Sequence, residues 1–237
     1  GEEFERLAGN YDGARGNARF IDGLATLLQS RCGWDVGPQN IAITNGSQSS
    51  FYVLFHLFAG EFNQGKKRKI LLPLAPEYIG YADVGMGADL FHTYRPTIEL
   101  RGDREFKYHV DFAHLDVSDE IGAIAVSRPT NPTGNVLTDA EVAHLRELAI
   151  QHGIPFILDS AYGGPFPNIV FPETKNLWDN NTILCLSLSK LGLPGLRTGI
   201  IVAHEKVIRA VTAANAIVSL APGSTGPGLV CAMVEDG

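Results

Sequence analysis

A lysine set between hydroxyls just past an apolar run is the residue in this chain best equipped to do chemistry. The run Thr182-Ile183-Leu184-Cys185-Leu186 leads into Ser187-Leu188-Ser189-Lys190. A Gly/Pro turn follows, Leu191-Gly192-Leu193-Pro194-Gly195-Leu196, and it delivers Arg197. A lysine at the end of a buried strand is costly, because loss of water disfavours its ammonium form. That cost becomes useful where the amine must be neutral and nucleophilic, as in condensation with a carbonyl group. Ser187 and Arg197 add groups that hold a phosphate, the arginine through its planar fork. Amine, hydroxyl and guanidinium together suit pyridoxal 5'-phosphate (PLP). An exposed strand-end lysine is the plainer alternative.

Three other places carry chemically useful groups. Asp159 ends the apolar run Pro155-Phe156-Ile157-Leu158, where an unpaired charge is expensive to bury. A protonated pyridine nitrogen is a natural partner for it, and a cap on the following turn is its other use. Gly46-Ser47-Gln48 stands where a strand turns into a helix. There a missing side chain permits close approach, and the first helix amides point at an anion. The same residues also read as an ordinary helix cap. Asn131-Pro132-Thr133-Gly134 makes a turn in almost any context.

The sequence S-x-S-K followed by L-P-G-x-R-x-G resembles the cofactor-lysine signature of the class I/II aminotransferases, PLP enzymes of fold type I. Four further stretches resemble the family in the same order: Thr44-Asn45-Gly46-Ser47-Gln48, Ala75-Pro76-Glu77-Tyr78, Asn131-Pro132-Thr133-Gly134-Asn135 and Asp159-Ser160-Ala161-Tyr162. The resemblance covers about residues 11–227, nearly the whole chain. The resemblance implies that Lys190 binds the cofactor aldehyde and then serves as general base. It implies that Gly46, Ser47, Gln48, Ser187 and Arg197 surround the phosphate, and that Tyr78 stacks on the pyridine. Many relatives have tryptophan at that place; a core tyrosine is the competing use, and Tyr81 stands close by in sequence. Asn131 and Tyr162 are implied to bond the phenolic oxygen. Asp159 is implied to keep the pyridine nitrogen protonated, so that the ring draws electrons from a substrate α-carbon. The segment Tyr11-Asp12-Gly13-Ala14-Arg15-Gly16 resembles the family's Y-x-x-x-x-G. Its tyrosine reaches the phosphate bound by a neighbouring subunit, which implies a symmetric homodimer; any surface tyrosine beside glycines looks similar. Within the family, three stretches are most like members that pass an amino group from valine to pyruvate, giving 3-methyl-2-oxobutanoate and alanine. They are residues 74–83, residues 106–112 and Ser127-Arg128-Pro129-Thr130.

The elements that must hold these residues alternate. Apolar runs predict strands over 40–44, 69–72, 90–94, 121–127, 154–158, 182–186 and 198–203. Helices are predicted over 47–58, 79–86, 138–152 and 205–218, the third opening on a capping-box pair, Thr138 and Glu141. The pattern predicts a three-layer α/β/α domain around a mostly parallel central sheet. In such sheets ligands gather beyond the carboxyl ends of strands, and the chemical residues above follow strand ends.

Composition narrows the classes. With 237 residues, 45% of them hydrophobic, the chain can bury a sizeable core as one domain over residues 1–237. Acidic residues outnumber basic ones, 26 to 19, which argues against a nucleic-acid surface. The basic run Lys66-Lys67-Arg68-Lys69 reads as a solvated loop. Three scattered cysteines imply no disulfide framework, and the seven histidines show no metal spacing. No signal peptide or membrane-length apolar run appears, which is compatible with the cytoplasm. The start at Gly1-Glu2-Glu3 and the stop at Gly237 suggest a large-domain fragment of poor activity, lacking an N-terminal segment and a smaller C-terminal domain. Other classes compete. Ser187-Leu188-Ser189-Lys190 satisfies the S-x-x-K of acylating serine enzymes, but the companion S-D-N and K-T-G tripeptides do not occur. A PLP-binding sensor domain, or a lyase or aminocyclopropane synthase on the same scaffold, keeps the cofactor and changes the outcome.

Overall fold

The computed structural model describes residues 2–62, 65–175 and 177–236, so the expectations resting on Gly1 and Gly237 lie outside the described residues. The chain begins with helices α1 (Glu2–Gly9) and α2 (Ala18–Cys32). Strand β1 (Ile41–Thr44) leads through Gly46 into α3 (Ser47–Phe58). Short β2 (Gly60–Glu61), β3 (Lys67–Leu72) and β4 (Phe91–Thr93) precede a hairpin of β5 (Thr97–Arg101) and β6 (Glu105–His109). Then come β7 (Ile121–Ser127), α4 (Asp139–Gln151), β8 (Phe156–Asp159), β9 (Thr182–Ser187), β10 (Gly199–Val202), α5 (Glu205–Val218) and α6 (Thr225–Asp236).

The main sheet runs in the order β1-β10-β9-β8-β7-β3-β2, with β4 also paired to β3. Its centre, β3-β7-β8-β9, is parallel, and so is the β3–β4 pair. β10 runs antiparallel to both of its neighbours. The fold is therefore the expected three-layer α/β type with a mostly parallel sheet.

Side-chain alternation explains the layers. On one face Ile43, Ile124, Val126, Leu158, Leu184 and Leu186 pack with Leu24 and Leu28 of α2 and Val142 and Leu145 of α4. On the other face Ala42, Ala123, Ala125, Ile157, Ile183 and Cys185 meet Phe51, Leu54 and Phe55 of α3 and Val211 of α5. Small sheet residues there make room for large aromatic rings. Burying each phenylalanine is worth about 1.5–3 kcal/mol.

Local signals set the ends of elements. Asn17 caps α2 through Phe20 N, and Gly33 closes it with left-handed backbone. Thr138 and Glu141 form the expected capping box, so α4 begins just after Thr138. The helix expected over 79–86 is only a 3-10 turn, Ile79–Tyr81. Gly80 and Gly85 give that stretch too little helix propensity to persist. The sequence pattern did not reach α1, α2, α6 or the hairpin. His109 pins the hairpin to α4, with Glu99 Oε2 at 2.8 Å from Nε2 and Glu141 Oε1 at 3.1 Å from Nδ1. Among the described residues, no helix is long and apolar enough to cross a membrane.

Candidate active site

The carboxyl ends of β7, β8 and β9 lie side by side, with Ser127 opposite Asp159 and Asp159 opposite Cys185. Beyond them is a cavity of about 200 Å³. Ser47, Gln48, Tyr78, Asn131, Asp159, Tyr162, Ser187, Lys190 and Arg197 are among the residues that line it. Nine of the residues singled out from the sequence thus share one hollow, although they are spread over 150 positions from Ser47 to Arg197.

Backbone and one guanidinium meet where β1 turns into α3. Gly46 has φ +89°, a value that L side chains rarely adopt. A Cβ there would stand 2.3 Å from Arg197 Nη2, so the missing side chain lets the arginine lie against the start of α3. A Cβ on Gly199 would stand 2.6 Å from Ser47 N, so β10 approaches the same turn closely. Arg197 Nη1 donates to Pro194 O at 3.1 Å, which orients the fork. The Gln48 side chain is used elsewhere: its Nε2 donates to Gly80 O at 2.6 Å and ties α3 to the loop that carries Tyr78. The first-turn amides of α3 and the Arg197 guanidinium then form an anion cradle.

Lys190 departs from one expectation. β9 ends at Ser187, Leu188 is buried, and the chain then turns through Ser189–Leu191, so Lys190 is exposed on a turn rather than buried on a strand. The burial argued from the sequence is therefore absent. Its Nζ lies 4.9 Å from the centre of the Tyr162 ring, within reach of a cation–π contact. Ser187 Oγ accepts from Ser189 N at 3.1 Å and shapes the turn.

Asp159 is 7% exposed, and burial raises its pKa above the usual carboxylate value. Hydrogen bonds from Tyr81 Oη at 2.7 Å to Oδ2 and from Ala161 N at 2.9 Å to Oδ1 oppose that rise. Among the described residues no cation pairs with it. A buried carboxyl at the cavity edge without a counter-ion suits a cationic ring nitrogen.

Sequence reasoning missed the supports of this centre. Tyr81, close to Tyr78 in sequence, is not a stray ring: it donates to Asp159 and packs edge-on against Phe51, Phe55 and Tyr78. Glu77 accepts from Ser127 N at 2.9 Å, from Ser127 Oγ, and from Tyr78 N at 3.2 Å. Arg128 holds the loop of Asn131: its Nε donates to Leu137 O at 2.7 Å and its Nη2 to Asp139 Oδ1 at 2.6 Å. The signal for Glu77 and Tyr81 was their place in the same short motif as Tyr78. Tyr11 is not among the residues that line the cavity and is 84% exposed, so within this chain it stands apart from the other expected site residues.

These groups fit the cofactor named from the sequence: backbone amides and a guanidinium for an anion, a buried carboxyl without a counter-ion, and a lysine beside a tyrosine ring, all on one cavity. The comparisons agree. The family model described as aminotransferase class I and II matches residues 5–237. A valine–pyruvate aminotransferase of Escherichia coli K12 is 58% identical over 226 residues, covering 95% of this chain and 54% of that protein. The crystal structure of a valine–pyruvate aminotransferase from Salmonella typhimurium LT2 superposes with a TM-score of 0.90 at 55% identity, over 99% of this chain and 59% of the other. A histidinol-phosphate aminotransferase of Rhodospirillum rubrum is 28% identical over 76% of this chain and 47% of its own length. The chain spans about half the length of the relatives it matches. With nearly its whole length matched by the family, and with a lysine, a buried carboxyl and an anion cradle converging at its strand ends, the chain belongs to the class I and II aminotransferases.

Proposed function

We propose that this chain is the larger, cofactor-binding domain of a cytoplasmic PLP-dependent transaminase that exchanges an amino group between an amino acid and a 2-oxo acid. Valine and pyruvate are the proposed pair, with 3-methyl-2-oxobutanoate and alanine as products. The observation that carries the reading is the convergence of Lys190, Asp159, Tyr162 and Arg197 on one cavity. The 58% identity to a valine–pyruvate aminotransferase supports the substrate pair.

Class I and II aminotransferases use PLP, which when bound draws electron density away from the substrate's α-carbon. Arg197 and the amides of Ser47 and Gln48 would hold its phosphate, and Tyr78 would floor its ring. Asp159 would keep a proton on the ring nitrogen by charge complementarity, while Tyr81 steadies the Asp159 carboxylate. Asn131 and Tyr162 would bond the phenolic oxygen. Lys190 Nζ would be the group that holds the cofactor's aldehyde carbon, and as a free amine it would serve as the general base for the proton on the substrate's α-carbon. In a homodimer, Tyr11 extends to the site of the neighbouring copy.

The test is a transamination assay of the full-length protein with valine and pyruvate, beside other amino donors. Alanine formation fastest with valine is the expected result. Turnover without any 2-oxo acid acceptor would point instead to a lyase.

A further inference from the structure

Glu77 is a carboxylate that the proposed reaction leaves unused, bonded to two residues that line the cavity, and its surroundings are specific. Oε1 accepts from Ser127 N at 2.9 Å; Oε2 accepts from Ser127 Oγ and from Tyr78 N at 3.2 Å. Ser127 is the last residue of β7 and stands opposite Asp159 in the sheet. Tyr78 lies on a loop without regular structure before the turn Ile79–Tyr81, so β pairing does nothing to place its ring. Two further contacts hold that loop: Gln48 Nε2 to Gly80 O at 2.6 Å, and Tyr81 Oη to Asp159 at 2.7 Å.

We propose that Glu77 is a positioning residue of the cofactor pocket, fastening the backbone of Tyr78 to the strand end beside Asp159 so that the Tyr78 ring is held as the pocket floor. The assignment rests on the PLP reading above. It explains a carboxylate that is otherwise wasteful. Burial makes the charged form unfavourable here, and the negative charge of Asp159 adds to the penalty. A leucine of similar size would fill the space at lower cost but would leave the Ser127 and Tyr78 amides without acceptors. Three donors converge on this carboxylate, one from the adjacent Tyr78 and two from Ser127, 50 positions away from Glu77, as a clamp requires. The ring contributes a flat π surface, whose value to a heteroaromatic ligand depends on its tilt and spacing.

The experiment measures PLP dissociation constants by visible absorption for the full chain and for Glu77→Ala, Glu77→Gln, Tyr78→Ala and the double variant Glu77→Ala/Tyr78→Ala. Glu77→Ala is expected to weaken binding about tenfold, and Tyr78→Ala by at least as much. The double variant should be no weaker than Tyr78→Ala alone, because the clamp acts only through the ring. Glu77→Gln, which keeps one acceptor oxygen, should fall between the native protein and Glu77→Ala, and it supplies the measurement if the alanine variant does not fold. Additive losses in the double variant, or unchanged affinity in Glu77→Gln and Glu77→Ala, would overturn the assignment. Failure of the native chain itself to bind PLP would instead overturn the cofactor reading on which the assignment rests.

Discussion

The chemistry of this site is set by where two carboxyls sit and by what touches them. Asp159 accepts from Tyr81 Oη and Ala161 N, and burial raises its pKa. Removing the hydroxyl in Tyr81→Phe leaves Oδ2 without its donor. The expected cost is about 1–3 kcal/mol of folding free energy, read from urea unfolding near neutral pH. An unchanged unfolding midpoint would mean that water replaces the hydroxyl. Glu77 is raised to about 7, chiefly by burial, with Asp159 adding to the rise and the Ser127 and Tyr78 hydrogen bonds opposing it. A carboxyl whose folded pKa exceeds its unfolded value binds more protons when folded. Its destabilising effect is therefore absent below about pH 4.5 and complete above about pH 7. Over that window the native chain should lose stability relative to Glu77→Gln, by on the order of 3 kcal/mol. Urea midpoints of the two proteins measured across the range should diverge as pH rises; parallel curves would show that Glu77 titrates normally.

At the scale of elements, the site is assembled by strand ends and one helix start. The residues readable in the sequence are those whose neighbours along the chain announce them: Asp159 after an apolar run, Gly46-Ser47 between strand and helix, Lys190 before a Gly/Pro turn. What escaped notice depends on contacts across the fold. Tyr81 and Asp159 are 78 positions apart, and nothing near either one reveals their hydrogen bond. The burial assigned to Lys190 failed for a local reason, since the strand ends three residues before it. Helix α2 had a legible signature in Phe20, Ile21, Leu24, Ala25 and Leu28, with Asn17 and Gly33 at its ends, but it lies outside the alternating pattern that led to the sheet. The start of α3 offers a direct check. Gly46→Ala forces a Cβ against Arg197 Nη2 at a φ of +89°. PLP affinity should fall about tenfold or more, equivalent to about 1.4 kcal/mol. Native affinity would show that Arg197 and the α3 amides do not form the phosphate cradle.

As a whole molecule, the chain contains an eight-stranded sheet, among the described residues, with helices on both faces and a cavity at the parallel strand ends, and it spans about half the length of its relatives. Composition and alternation along the chain were enough to indicate the layers. They could not indicate the antiparallel β10, because strand direction depends on which neighbour a strand joins rather than on its own residues. The expected division of labour is that residues 1–237 alone hold PLP but turn over valine and pyruvate at least about a hundredfold more slowly than the full-length protein. Such a loss corresponds to about 2.7 kcal/mol of transition-state stabilisation. Steady-state rates of the two proteins at equal PLP occupancy measure it, and equal rates would assign the whole reaction to these residues.

The central claim is that Lys190 carries the cofactor, and borohydride reduction of the PLP-loaded protein followed by peptide mass spectrometry tests it most directly. One reduced pyridoxyl-phosphate adduct on Lys190, lost in Lys190→Ala, is the expected result. An adduct confined to another lysine, or none in a protein that shows the visible band, would contradict it.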